Sequence, residues 1–440
     1  MTNLLAKTTR LGVVFVLLSL PFGMQAQTAE ERTLTLDEVV QLGLANSKQL
    51  QLSATRTDIA QTKTRQALAS TVPSLTYSGS YYRLSDNITP FETPLFTMPV
   101  LLNQTLNRVS ISEPVFTGLR ALNTIRATEF LENAARFDLE RDKKEVQLNL
   151  IGSAIQVYKL EEALKVVQSS LLTAQNRLKD TKALQQQGMA LDNDVLKADF
   201  SLTQLETAQI ETANNLAAGR FALNTLLGLP GNTIVHIDAA SIGAGAGAET
   251  LESLLENTTQ RADYQASTQR LLASEKQLKV SKGAYLPLLS IGANLYSNSP
   301  NQRQFPLENR FITTWDAGIQ VSWNIGNLYT GRHNVQEARL NLTQSTVQRA
   351  QLLDAANTDV SNNYYAWQTA LQKIAQSEKS LSQATENQRI MQLRNSQQLS
   401  SLTDLLEADA LLLQARINQV SAKADASLSR FRLLRSAARL

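Results

Sequence analysis

The sequence predicts a mainly α-helical protein with a smaller β portion, made of two copies of one helix, strand, strand, helix, helix unit. Composition is the first observation behind this prediction. The 440 residues include only 18 Gly and 10 Pro, and aromatic side chains make up 6%, which is typical of long helices with small core residues. The second observation is a long internal repeat. The third is a change from helical spacing to strict alternation at two matching places.

The internal repeat has a separation of 210 residues. Ten of the thirty positions from Asp194 to Leu223 are identical in the segment from Asp404 to Leu433. A solenoid unit is only roughly 20–50 residues long. We therefore expect two large structural units that pack side by side about a pseudo-symmetry axis. The identical pairs include Asp194/Asp404, Ala198/Ala408, Asp199/Asp409, Leu202/Leu412, Arg220/Arg430 and Phe221/Phe431.

The first 26 residues have the pattern of a signal peptide. Lys7 and Arg10 precede the apolar run Leu11–Leu20, and Ala26 offers a small residue for cleavage. The run is too short for a permanent transmembrane helix and has signal-peptide flanks. We therefore expect residues 1–26 to direct export, and we expect any later membrane insertion to use β-strands.

The overall composition excludes several classes of function. The net charge of +3 is nearly balanced, so bulk electrostatics indicates no nucleic-acid partner. The chain has no cysteine, which excludes a disulfide framework and a thiolate metal site. No phosphate-binding loop, nucleophile with its base or metal-ligand spacing is present. We therefore expect neither an enzyme nor a bound cofactor or metal.

The first predicted unit covers residues 27–230. Its opening helix is capped by Thr35 and ended by Pro73, because proline cannot continue a helix. Alternation after Pro73 predicts strands, and Gly188 interrupts a helical pattern that is otherwise continuous. The predicted elements are a helix to about Ser70, strands near 76–86 and 108–117, and a long coiled-coil hairpin over 118–230.

A Gly- and Ala-rich segment over 231–248 is expected to be a flexible linker. The second predicted unit, 249–440, then repeats the plan of the first, and Pro287 matches Pro73 in ending a helix before a strand. Its predicted elements are a helix to about Tyr285, strands near 289–297 and 314–326, and a second long hairpin over 328–440.

Four strands are too few to close a barrel, and open strand edges are not tolerated in lipid. The sequence therefore leaves two possibilities. Either several copies of the chain share one barrel, or the strands form a sheet in water.

The sequence resembles the TolC-type outer-membrane efflux protein family over essentially the whole mature chain. No single motif is specific to this family, but the order, spacing and duplication of several motifs together are. The residues that carry the resemblance are the opening Leu34–Val40, the helix-to-strand junctions at Pro73 and Pro287, the return Ser112–Gly118, and the paired segments Asp194–Asp199 and Asp404–Asp409.

The resemblance implies a homotrimer in the outer membrane of a Gram-negative bacterium. Each chain would give four strands to one twelve-stranded β-barrel, which an α-helical periplasmic tunnel would continue. The resemblance further implies a passive exit duct of a tripartite efflux or type I secretion system. Its partners would be a periplasmic adaptor protein, an inner-membrane efflux pump or ABC exporter, and outer-membrane lipid.

The resemblance also places candidate residues at the two hairpin tips, where the family opens by an iris-like movement of the helices. Threefold symmetry would turn acidic residues there into rings that favour cations. The candidate gate and selectivity residues are Asp194, Asp404, Glu407 and Arg394. The candidate adaptor-docking positions are Gly188, Met189, Leu399 and Ser400.

Two simpler interpretations stay open. Asp194 and Asp404 lie at helix starts, where an acidic side chain is favoured by the helix dipole whatever the function. The long hairpins could also belong to a periplasmic coiled-coil adaptor or scaffold protein, although adaptors usually combine one hairpin with small β-domains.

Overall fold

The structure, a computed structural model, describes residues 31–88, 91–94, 96–98, 100–243 and 249–440. The predicted signal peptide, 1–26, lies outside these residues. The described chain is mainly helical with a small set of strands, which confirms the predicted fold class. Among the described residues, no helix is both long and apolar enough to cross a membrane.

The first half of the chain runs from a short strand to a long helical hairpin. Its elements are β1 (Glu31–Leu34), α1 (Leu36–Asn46), α2 (Lys48–Ala69), β2 (Ser74–Arg83), β3 (Phe91–Thr93), β4 (Phe96–Met98), β5 (Asn103–Phe116), α3 (Arg120–Gln186), α4 (Asp192–Leu227) and β6 (Ile234–Ile237). A single 3₁₀ turn, Ala239–Ser241, follows β6.

The second half has the same order of long elements. Its elements are α5 (Leu251–Leu255), a 3₁₀ turn (Glu256–Gln260), α6 (Ala262–Gly283), β7 (Leu288–Ser299), β8 (Ile312–Ser322), α7 (Asn327–Thr330), α8 (Arg332–Ser396) and α9 (Leu402–Ser436).

The opening helix is interrupted, whereas the sequence pattern predicted one continuous helix to about Ser70. Thr35 and Glu38 form a capping box at the start of α1, with the Thr35 amide donating to the Glu38 carboxylate at 2.8 Å. Ser47 then takes an extended backbone conformation, and its hydroxyl accepts from the Leu50 amide at 3.3 Å. The break has a local cause, because a serine that caps a new helix competes with continuation of the old one.

Strands β2, β5, β7 and β8 form one antiparallel sheet in that order. The strands are 10, 14, 12 and 11 residues long. Strand β5 starts at Asn103, earlier than the predicted 108, because its polar first residues pair with the end of β2, as in Asn103 opposite Arg83. Strand β8 ends at Ser322, before the predicted 326, and the Trp323 indole nitrogen donates to the Tyr285 carbonyl at 3.0 Å.

The sheet has two chemically distinct faces, because side chains alternate along each strand and directly paired residues share a face. The apolar face carries Leu75, Tyr77, Val109, Ile111, Ile291, Leu295, Trp315, Ile319 and Val321. The polar face carries Thr76, Ser78, Arg108, Ser110, Asn294, Tyr296, Thr314 and Asp316.

A close backbone approach joins the sheet to the helices. Gly118, between β5 and α3, has φ +63°, and a Cβ added there would meet the Gly283 carbonyl oxygen at 2.5 Å. A Cβ on Gly283 would meet the Gly118 carbonyl at the same distance. Neither position tolerates a side chain, so these two glycines let the strand-to-helix turn before α3 pack against the helix-to-strand turn after α6.

Two helices of similar length dominate the molecule. Helix α3 has 67 residues and α8 has 65, so each is about 100 Å long at 1.5 Å per residue. Helix α3 packs against α2, α4, α6 and α9, and α8 packs against α6 and α9. The main buried cluster lies where α1, α3, α4 and β6 meet, around Val39, Leu150, Val157, Leu223 and Val235.

The first part of the predicted linker, 231–248, is ordered, and the prediction of a flexible segment is wrong there. Residues Ile234–Ile237 form β6, which pairs in parallel with β1. Val235 and Ile237 are buried in the main cluster. The reason is the short alternating run of β-branched residues, which buries one face once a partner strand is beside it. Residues 244–248 of this segment lie outside the described residues.

Candidate functional site

The first hairpin turns through a left-handed glycine. Helix α3 ends at Gln186, and Gly188 has φ +72°. The Met189 amide donates to the Leu184 carbonyl at 2.9 Å and the Gly188 amide to the Gln185 carbonyl at 2.9 Å. This pattern satisfies carbonyls that the end of α3 leaves free. The turn therefore follows from the glycine.

The second hairpin makes the same turn without glycine. Gln398, 210 positions after Gly188, has φ +60°. The Leu399 amide donates to the Arg394 carbonyl at 2.8 Å and the Gln398 amide to the Asn395 carbonyl at 2.9 Å. The sequence did not predict this equivalence, because a left-handed glutamine has no sequence signal.

Asp194 and Asp404 both cap the helices that follow the turns. The Asp194 carboxylate accepts from the Leu191 amide at 3.2 Å. The Asp404 carboxylate accepts from the Ser401 amide at 3.1 Å, and the Ser401 hydroxyl accepts from the Asp404 amide at 3.2 Å. Capping therefore explains part of the presence of both residues. Asp404 is nevertheless exposed, whereas Asp194 is half-buried. The Asp404 carboxylate can therefore cap α9 and still present its negative charge to solvent.

The other predicted tip residues lie at the same end of the molecule. Glu407 is exposed one turn after Asp404. The Arg394 guanidinium donates to the Leu399 carbonyl at 3.3 Å and does not reach Asp194 within this chain. Gly188, Met189 and Leu399 are exposed, and the half-buried Ser400 hydroxyl donates to the Met391 carbonyl at 3.4 Å.

Two contacts join the tips of the two hairpins directly. The Lys197 ammonium donates to the Thr403 hydroxyl at 2.9 Å. The Gln398 side-chain amide approaches the Met189 sulfur at 3.7 Å. The first contact joins α4 to the start of α9, and the second joins the turns of the two hairpins to each other. Met189 of the first tip therefore lies beside Gln398 of the second tip, the residue that precedes Leu399.

A further link joins the hairpins at Asp409, which the sequence predicts to be either solvated or paired within a hairpin, without indicating its partner. The Arg177 guanidinium of α3 pairs with the Asp409 carboxylate of α9 at 2.9 Å. The Gln388 side-chain amide of α8 donates to the same carboxylate at 3.1 Å. The Arg177 and Asp409 side chains are only 15% and 23% exposed. The two partners are 232 residues apart, and the sequence signal was limited to the place of Asp409 in the repeat.

Charge near the second tip is partly paired. The Arg389 guanidinium hydrogen-bonds the Glu386 carboxylate at 2.7 Å, and this bond holds the pKa of Glu386 below its ordinary value. Among the described residues, no hydrogen bond or ion pair joins Glu407 to another side chain. Across the described parts of the chain, no three His, Asp or Glu residues converge on a possible metal position.

Comparison with known families gives a match over both halves of the chain. The family described as "Outer membrane efflux protein" matches residues 39–229 and again residues 254–439. The two matches include both hairpins and the four-stranded sheet.

Curated relatives are distant but extensive. Nodulation protein T of Rhizobium leguminosarum bv. trifolii is 23% identical over 388 residues, which are 86% of this chain and 79% of the relative. The probable efflux pump outer membrane protein TtgC of Pseudomonas putida is 22% identical over 411 residues, covering 89% of this chain and 81% of the relative.

Solved structures share the fold. The CusC channel superposes with a TM-score of 0.78 at 16% identity, covering 91% of each chain. The Campylobacter jejuni CmeC outer membrane channel superposes with a TM-score of 0.75 at 20% identity, covering 91% of this chain and 85% of that one. With the family match over both repeats, the conclusion is that this chain belongs to the outer membrane efflux protein family.

Proposed function

We propose that three copies of this chain form the outer-membrane duct of a tripartite efflux or type I secretion system. The observation that carries this proposal is the four-stranded sheet, which has two open edges and one exposed apolar face. Its partners in this proposal are a periplasmic adaptor and an inner-membrane efflux pump or ABC exporter. The family match supports this reading over the alternative of an adaptor or scaffold protein.

The apolar face of the sheet fits contact with lipid. Trp315 and Ile319 are each 74% exposed in the single chain, and Leu75 is 72% exposed. A soluble monomer rarely leaves so many large apolar side chains in one patch. The strands are 10 to 14 residues long, which is long enough for a tilted strand to cross a bilayer.

The edges of the sheet fit assembly around an axis. Strands β2 and β8 are the outer strands, and in the described chain neither has a partner on its outer side. Unpaired backbone groups cannot stay open in lipid. Pairing of β8 with β2 of the next copy would satisfy both edges, and three copies would give twelve strands around a lumen.

The hairpin tips fit a gate at the periplasmic end. Helices about 100 Å long carry the tips far from the sheet, because α3 has 67 residues. The Arg177–Asp409 pair and the Lys197–Thr403 bond hold the two hairpins of one chain together. Opening by separation of the hairpins would break these links. Asp404 and Glu407 would form acidic rings at the mouth, and Asp194 and Arg394 would stand beside them.

Efflux is the transport role that the relatives suggest, because the curated names include efflux pump outer membrane proteins and a pyoverdine export outer membrane protein. The duct itself performs no chemistry in this proposal. It would give substrates a passive exit, while the inner-membrane partner supplies energy and selects the cargo.

The proposal is tested by purification and planar-bilayer recording. We expect extraction only by detergent, migration as a trimer that heat dissociates, and stable conductance with a preference for cations. The variant Asp404→Asn with Glu407→Gln keeps the capping acceptor but removes the charges, so we expect its cation preference to fall.

The matched control is Asp194→Asn, the equivalent change in the first hairpin, where the carboxylate is half-buried. We expect a smaller shift of the reversal potential there. A monomer that is stable without detergent would contradict the duct. Unchanged selectivity in the double variant would remove Asp404 and Glu407 from the pore mouth.

A further inference from the structure

The polar face of the sheet carries many small hydroxyl-bearing residues. Ser110, Thr76 and Thr314 lie on it, together with the backbone at Gly292 and Gly318. Within the four strands, all of which the structure describes, Asp316 is the sole carboxylate on this face. The charge of this face therefore depends on very few groups.

The charge of Asp316 is neutralised by an arginine from a neighbouring loop. The loop between β7 and β8 brings the Arg303 guanidinium to the Asp316 carboxylate at 2.5 Å. The same guanidinium stacks over the Tyr296 ring, 4.2 Å from its centroid. The Asn294 side-chain amide donates to the second Asp316 oxygen at 2.7 Å. Asp316 is thus fully engaged, and the loop lies on the polar face at this point.

Arg108 is the remaining charge on the same face. It lies in a row across the sheet with Ser78, Tyr296 and Thr314, next to the row that holds Asp316. Its side chain is exposed. Among the residues that the structure describes, none forms a hydrogen bond or ion pair with its guanidinium. The face therefore has an unpaired cation, and the carboxylate in the neighbouring row is already bound to Arg303.

We propose that Arg108 makes the β section of the duct selective for anions, in particular solutes with phosphate or carboxylate groups. This inference rests on the proposed function, because it needs the polar face to line a lumen. Threefold symmetry would place three unpaired guanidinium groups at one level of that lumen, with Tyr296 and the Arg303–Asp316 pair beside each. A ring of arginines attracts anions and repels cations. The duct would then carry opposite charge preferences at its two ends.

The experiment compares reversal potentials and anion block in planar bilayers. Inorganic pyrophosphate is the probe, added on the side of the β section of oriented channels. We expect pyrophosphate to block the unmodified channel from that side. In Arg108→Gln we expect the block and the chloride-to-potassium permeability ratio both to fall by about fivefold. Arg108→Lys keeps the charge and should retain both properties.

Two further variants sharpen the test. Arg83→Gln is the matched control, because Arg83 lies at the end of β2 and pairs with Asp86 at 2.9 Å, so we expect no change. Asp316→Asn releases the Arg303 charge and should raise the permeability ratio, which tests whether positive charge on the polar face favours anions even if Arg108→Gln does not assemble. If Arg108→Gln and the unmodified chain both conduct and pyrophosphate blocks them equally, this inference is overturned but the proposed function is not. Absence of any conductance would overturn the proposed function as well.

Discussion

At the residue scale, the two hairpin turns show one backbone geometry made by different residues. Gly188 and Gln398 share a left-handed conformation and the same pattern of amide donors. A residue with a Cβ adopts this conformation at a cost of about 1–2 kcal/mol relative to glycine. No heavy atom lies within 4 Å of a Cβ placed on Gly188, so the penalty at the tips is one of backbone conformation. The second tip is therefore the less stable turn.

The variant Gln398→Gly tests this penalty. We expect it to stabilise the closed turn by about 1 kcal/mol, because glycine adopts the same conformation without strain. Hydrogen exchange of the Leu399 amide, which donates to the Arg394 carbonyl, should slow by about fivefold.

Gln397→Gly is its matched control, because Gln397 has φ −97° and gains nothing from glycine. We expect its exchange to be unchanged or faster. Equal exchange in Gln398→Gly and the unmodified chain would show that the turn is not strained.

At the element scale, contacts between the hairpins decide how readily they separate. Arg177, Asp409 and Gln388 come from α3, α9 and α8, so their network joins three helices. The Nε atom of Arg177 is buried without a hydrogen-bond partner. The Asp409 carboxylate is therefore the main group that offsets the cost of burying the Arg177 charge. Its loss would leave a mostly buried charge unpaired.

The variant Asp409→Asn tests whether this network holds the hairpins closed. We expect a several-fold increase in open probability in planar-bilayer recordings, because breaking a mostly buried ion pair is strongly destabilising and every 1.4 kcal/mol changes an equilibrium tenfold. The exchanged pair Arg177→Asp with Asp409→Arg should return gating toward the unmodified behaviour.

Asp199→Asn provides the matched control, since Asp199 holds the same position in the first hairpin and is exposed. We expect its gating to be normal. An unchanged open probability in Asp409→Asn would mean that the network is structural only.

At the scale of the whole molecule, the chain is an outer membrane efflux protein, a transport protein rather than an enzyme, located in the outer membrane with a periplasmic extension. The sheet and the turns of the two hairpins lie at opposite ends of α3 and α8, which have 67 and 65 residues. A signal at the tips must therefore travel along α3 and α8 to affect the sheet. At the sheet end, the Gly118–Gly283 approach fixes the start of α3 against the end of α6, next to strands β5 and β7.

The variant Ile319→Glu tests which face of the sheet contacts lipid. Ile319 is 74% exposed on the apolar face, and a charge on a lipid-facing strand position is destabilising by up to a few kcal/mol. We expect a lower yield of detergent-extracted trimer, measured by heat-modified gel migration.

Gln320→Glu introduces the same side chain at the next position of β8, on the polar face. We expect normal assembly of this control. A normal trimer yield for Ile319→Glu combined with a poor one for Gln320→Glu would show that the two faces are reversed.

The sequence by itself determined the fold class, the two repeats and the faces of the strands. It could do so because these features depend on local periodicity: Trp315, Ala317 and Ile319 alternate with polar residues whatever surrounds them. Capping of α9 by Asp404 was foreseen for the same reason. The roles of Asp404, Glu407 and Arg394 at a gate remain predictions.

The tertiary structure alone decided which distant residues meet. Arg177 finds Asp409 because two long helices pack with these faces together, and β6 is ordered because β1 lies beside it. The charge left on Arg108 depends on a loop that brings Arg303 to Asp316. Side-chain partners far apart in sequence are set by how the elements rotate and pack, and local periodicity contains no information about that arrangement.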